Sequence, residues 1–258
     1  MVLLMDEAWT YTMLRQFPDA LKLYDRALDI TPNAPDVMAA KGGTYLAQGN
    51  LQEATRFLSQ ISALTPFWYT FLIKSNQLRL ERNYGEAIRL LEVRQAQFHF
   101  GFEYDKGCDQ VSLAFMQRLA GDAAGAKVTA EQASHTFEQL SRDQPDNRDL
   151  AAALSQVYAA MGEKDLALKA AERAIMRVPR AKDAVDGPSM EENLALIQTI
   201  FGENSRAIST LTQLLRTPYY SLRYRPTPIT PALLRLDPLW DPLRSDPAFQ
   251  KLCEEKQK

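Results

Sequence analysis

Histidine and cysteine are nearly missing from this chain, with two of each in 258 residues. Cys108 and Cys253 lie far apart with no ligand or partner spacing. That excludes a disulfide framework and a cysteine-built zinc site, and two free thiols are expected. His99 and His135 have no Cys, Asp or Glu at ligand or relay spacing, which removes the usual metal and general-base arrangements. His99 is expected to pack in a loop, and neither a metal nor another cofactor is expected. Long apolar runs are absent as well: the longest, Phe67 to Ile73, is seven residues, against ~18 for a membrane span. No membrane partner is expected. The N-terminus turns acidic at Asp6 and Glu7 without the basic region of a secretory leader, so the expected location is the cytoplasm. A surplus of charge is missing too. The net charge of −2 argues against a chain built chiefly for nucleic acid.

What the chain does have is a column of alanines: Ala20, Ala54, Ala87, Ala126, Ala167 and Ala207. Twelve residues ahead of each lies another small residue, in order Ala8, Gly42, Ser75, Ala114, Ser155 and Ala195. Two antiparallel helices joined by a tight turn approach closely only where a small side chain faces the partner. Each unit is therefore read as a helical hairpin. Five residues before each alanine comes the turn, at Arg15, Gly49, Arg82, Gly121, Gly162 and Gly202. Glycine suits it because it takes positive φ without penalty. In the first unit Leu21, Tyr24 and Leu28 recur at three- and four-residue steps, one stripe of an amphipathic helix.

The first two alanines are 34 residues apart and the third follows 33 later, with Tyr11 matching Tyr45 and Pro32 matching Pro66. In this period and these positions the chain resembles the tetratricopeptide repeat family. The resemblance implies an all-α, right-handed superhelical solenoid of about six hairpins, near 1–34, 35–67, 68–103, 104–146, 147–187 and 188–218. The remainder, 219–258, is expected to be a Pro-rich folded C-terminal cap. Spacing then lengthens to 39, 41 and 40. The unbroken pattern from Asp122 to Arg142 predicts a second helix about two turns longer than standard. Unit three is the most degenerate, with Arg94 at a normally small or apolar position and aromatics replacing the closing proline.

In the tail, Thr230, Asp237 and Asp246 each precede a proline, which predicts three capped short helices. Leu236, Trp240, Leu243 and Phe249 supply the apolar surface to fold them onto the stack. The stretch from Leu234 to Phe249 also resembles the ending of large bacterial signalling regulators, as Lys182 to Pro188 resembles a segment of their repeat array. In these, a Ser/Thr kinase, cyclase or DNA-binding domain precedes tetratricopeptide repeats. That likeness implies the sensory or scaffolding half of such a regulator, or a product that has lost its effector.

Enzyme motifs fail on spacing. Gly121 to Thr129 does not meet the P-loop pattern, and no kinase glycine loop, His-Arg-Asp or Asp-Phe-Gly set occurs. Catalysis is therefore not expected, and the reading is a protein-protein interaction module. In the resembled family the first helix of each hairpin lines a concave groove that takes a peptide, helix or partner protein. Projected here, the groove comprises Met5, Trp9 and Met13, then Ala39 and Gly43, then Leu72, Asn76 and Arg79. Val111, Phe115, Gln156, Glu192 and Leu196 continue it. Family members that grip a peptide carboxylate use Lys, Asn and Arg at such positions, and only Asn76 and Arg79 match. The occupant could be a partner helix, a second copy or the chain's own tail. Self-association is also expected through Val2, Leu3, Leu4 and Met5, an uncapped apolar edge. The alternative is an RNA- or single-stranded-DNA-binding repeat protein using 216–225, where arginines interleave with tyrosines.

Overall fold

The computed structural model describes residues 2–223 and 227–255. Within them twelve helices form six successive hairpins. The first three are α1 (Val2–Met13) with α2 (Phe17–Ile30), α3 (Pro35–Ala47) with α4 (Leu51–Leu58), and α5 (Trp68–Leu80) with α6 (Tyr84–Gln97). The last three are α7 (Glu103–Leu119) with α8 (Ala123–Asp143), α9 (Arg148–Met161) with α10 (Lys164–Arg177), and α11 (Gly187–Ile200) with α12 (Asn204–Leu214). The result is an all-α helical-repeat solenoid. Among the described residues no helix is long and apolar enough to cross a membrane.

The two small-residue columns meet inside the hairpins, and all of their members are buried. A Cβ added at Gly42 would come within 2.7 Å of the Leu58 side chain, which shows why nothing large is accommodated there. All six turn positions take positive φ, Arg15 and Arg82 as well as the four glycines. The wider spacing is taken up in two ways: α7 has 17 residues and α8 has 21, against 14 in α2 and α6, while α10 and α11 keep 14 each and are joined by a longer connection, 178–186. In hairpin two, α4 is only 8 residues long, and the segment after it buries Ile61 and Ala63 in its place.

The irregularity of unit three has a physical cause. Arg94 is fully buried and donates to Asp109 at 2.7 Å and to the carbonyls of Ala63 and Thr65 at 2.7 and 2.8 Å. Its guanidinium lies 4.6 Å from the Phe71 ring centre and 4.0 Å from that of Phe98. A cation stacked and bonded in this way ties hairpins two, three and four together where a proline would only have ended a helix. His99 is exposed rather than packed, because Arg94 recruits its neighbours Phe98 and Phe100 instead.

The tail folds as α13 (Pro231–Leu236), a 3-10 segment (Pro238–Leu243) and α14 (Pro247–Glu254). Thr230, Asp237 and Asp246 cap them, their side chains accepting from the amides of Leu233, Leu239 and Ala248. Trp240, Leu243 and Phe249 are buried, and the tail packs on α11 and α12. Its path goes beyond a cover for hairpin six, because it also reaches the first three hairpins. Arg15, in the turn of hairpin one, donates to Leu214, Thr217 and Ile229 carbonyls at 2.9 to 3.3 Å. The Thr230 hydroxyl donates to Ala47 O at 2.7 Å. The array thus curves until its first turn touches the end of α12, and the tail fastens that closure.

Candidate functional site

The odd-numbered helices present the face on which the projected groove lies, and the structure divides its residues into three groups. Met5 is buried within hairpin one beside Ala8, Ala20 and Tyr24, and Leu196 is fully buried in the main core. Ala39 is likewise core, and a Cβ at Gly43 would lie 3.5 Å from Ile73. These positions are corrected from groove to core. An odd-numbered helix packs against its own hairpin partner and against the next hairpin, so its accessible stripe is narrower than the projection assumed. Met13 is half-buried.

A second group holds the chain's own tail. Trp9 meets Tyr69 edge-on at 5.9 Å and Tyr220 at 6.4 Å. Arg79 grips the carboxylate of Asp237 through Nε and Nη2 at 2.8 to 3.2 Å, while Nη1 donates to Asn76 Oδ1 at 2.7 Å. Asn76 in turn donates to Arg223 O at 2.7 Å. The side chains of this ion pair are 6% and 0% exposed. So of the two residues that match a carboxylate-gripping groove, Arg79 does grip a carboxylate, from the same chain, and Asn76 braces it. On α11, Glu192 accepts from Tyr219 Oη at 2.8 Å, and that oxygen accepts from the Ile229 amide at 3.1 Å. Burial pushes the Glu192 carboxyl above its usual range and the Tyr219 phenol well above its own.

Part of the basic and aromatic stretch takes part in the same contacts. Tyr219 is fully buried and offers no face for base stacking, and half-buried Tyr220 meets Trp9 edge-on. Arg216 lies 3.9 Å from Glu255. Tyr224 and Arg225, the remainder of that stretch, lie outside the described residues.

The third group stays open. Leu72, Asn76, Arg79, Val111, Phe115 and Gln156 share a cavity of ≈ 250 Å³ between α5, α7 and α9, closed on one side by Leu222 and Arg223 of the tail. Trp68, Tyr104, Cys108 and Asp149, which the projection missed, are among the other residues that line it. They were within reach, because 68, 72, 76 and 79 on α5 form one stripe at three- and four-residue steps. So do 104, 108, 111 and 115 on α7: one turn back from Leu72 finds Trp68 and one turn back from Val111 finds Cys108, with Tyr104 a turn further, whereas Asp149 stands two turns before Gln156 on α9. Asp237 carried no such signal, being 158 residues from Arg79. Among the described residues no group of three metal-ligating side chains converges.

Six hairpins, two columns of small residues and a turn in the left-handed region define a helical-hairpin repeat protein. A family model described as "Tetratricopeptide repeat" matches residues 12–68, from the first turn to the start of the third hairpin. No curated protein matches the chain. Solved structures similar to it include a tetratricopeptide repeat protein from Parabacteroides merdae. It is 14% identical, with 90% of this chain and 82% of that one covered and a TM-score of 0.44. Another is a thermophilic repeat protein of Thermus thermophilus, at 20% identity, 83% and 89% coverage and a TM-score of 0.37. A third is yeast Tom70, at 14% identity, 98% and 68% coverage and a TM-score of 0.31.

Proposed function

We propose that this protein is a non-catalytic protein-interaction module of the cytoplasm, whose partner docks a side chain into the cavity between α5, α7 and α9. The observation that carries this reading is that cavity. It is the open part of a face that the chain's own tail partly covers, and three helices wall it. A socket of that kind suits an anchor residue at the centre of an interface. The likeness of 234–249 to the ends of bacterial signalling regulators supports a sensory or scaffolding role beside an effector. Val2 and Leu3, 70% and 83% exposed, offer a separate apolar edge for association between copies.

Site-specific photo-crosslinking tests the docking site. A photoreactive residue at Ser112, in the cavity wall, should capture a discrete protein partner in the native cell. The same residue at Met176, exposed on the outer helix α10, should not. Equal capture at both positions, or capture of nucleic acid alone at Ser112, would contradict the reading.

A further inference from the structure

We infer that the cavity selects a cationic anchor: a basic side chain of a partner segment, with an apolar stem and its charge against Asp149. This deepens the docking site proposed above and rests on it. The argument comes from which lining groups are already engaged. Asn76 is committed through both ends of its amide, and Arg79 is committed to Asp237 and Asn76. Ser112 donates to Cys108 O, and Gln156 donates its amide to Asn193 Oδ1, leaving its side-chain carbonyl as an acceptor. The Asp149 carboxylate meets, among the described residues, only the guanidinium of its chain neighbour Arg148, at 3.7 Å. Asn76 and Gln156 each keep a second amide N–H, so what distinguishes ligands here is the Asp149 charge, which a cationic donor meets best.

The register of the helices places aromatic surface beside that charge. Asp149, Trp68 and Tyr104 stand in the first turns of α9, α5 and α7. Leu72, Val111, Ala152 and Ala153 follow one turn or more further along the same helices and supply an apolar channel for a stem. Aromatic faces and a carboxylate around an apolar cavity attract an organic cation. The positive ends of α7 and α9 do not reverse this preference, because they are already matched. Glu103 and Asp105 stand in the first turn of α7, and Asn147 accepts from the amides of Asp149 and Leu150. The opposite side is lined by Leu222 and Arg223, and the Arg223 charge acts on the buried Glu192 carboxyl.

The three tryptophans give a site-specific readout, since only Trp68 lines the cavity while Trp9 and Trp240 lie elsewhere. Phenethylamine, 2-phenylethanol and 3-phenylpropionate, alike in their apolar body but cationic, neutral and anionic, are titrated against the full chain at low salt. The indole N–H signals are followed by NMR. Phenethylamine should shift the Trp68 signal with a Kd about fivefold below that of the alcohol, and the acid should bind most weakly. Asp149→Asn, a change at a half-exposed position, should bring amine and alcohol within about twofold of each other. Ala153→Leu should weaken all three probes by filling the cavity. Equal binding of amine and alcohol, tighter binding of the acid, or an amine preference surviving Asp149→Asn would overturn the cationic anchor while leaving the docking site standing. Failure of every probe to move Trp68 would overturn the site as well.

Discussion

Arginine stands at two of the six turn positions, and the two arginines should behave differently. Both hold a left-handed φ, near 60°, that glycine adopts more cheaply, by about 1 kcal/mol. Arg82 regains that cost through an exposed pair with Asp241 at 2.8 and 2.9 Å, worth ~0–1 kcal/mol, and a long bond to Tyr84 Oη at 3.5 Å. Arg15 bonds three main-chain carbonyls from a half-buried position. Arg82→Gly should therefore leave stability in urea within about 0.5 kcal/mol of the parent. Arg15→Gly should lose about 2 kcal/mol or more. Asp109 sets a second test. Burial beside Arg94 pushes its carboxyl up to about 6. A folded-state value above the unfolded one means that the native state takes up the proton first, so stability rises as pH falls through 6 and is lost as pH climbs back. Measured against Asp109→Asn, the parent should gain stability between pH 7 and pH 5, with a slope of at most ~1.4 kcal/mol per pH unit. The turn column was legible in the sequence because four glycines mark it. The buried role of Arg94 was not, because its partners come from three hairpins.

At the scale of the elements, period and punctuation carried most of the information. The alanine columns marked every hairpin, and each Thr-Pro or Asp-Pro start in the tail that was read as a cap is one. The long α8 followed from an uninterrupted apolar pattern. Stripe width was not legible: Met5 and Leu196 lie on groove-side helices yet pack inward, because a periodic pattern gives a helix's face but not how far its neighbours wrap around it. The close pairing is testable at the columns themselves. Ala54 and Ala167 are fully buried between helices, so Ala54→Leu or Ala167→Leu should overpack a hairpin and cost ~1–3 kcal/mol. Leu166→Ala, at an exposed position on α10, should change stability by less than about 0.5 kcal/mol. Thermal melts that left both leucine variants level with the parent would mean that the assigned helices do not face each other.

The molecule as a whole is organised by a tail that returns to the start of the array. Its apolar anchors were visible in sequence as a folded cap, but its path was not. The contacts that set it, Arg15 with Ile229, Asn76 with Arg223, Arg79 with Asp237 and Thr230 with Ala47, span 147 to 214 residues, and no local pattern encodes such pairings. Arg79 and Asp237 are buried together, so removing either alone leaves an uncompensated charge. The tail is in this sense the first occupant of the groove, and the cavity beneath Leu222 is what it leaves. Engineered cross-linking tests this arrangement most directly. A Cβ built at Gly49 lies 3.2 Å from the Ala232 Cβ, close to disulfide range. With Cys108 and Cys253 replaced by serine, Gly49→Cys combined with Ala232→Cys should oxidise to an intramolecular disulfide in the monomer. Failure to form the bond in folded protein, or a bond found only between molecules, would contradict a tail that closes its own solenoid.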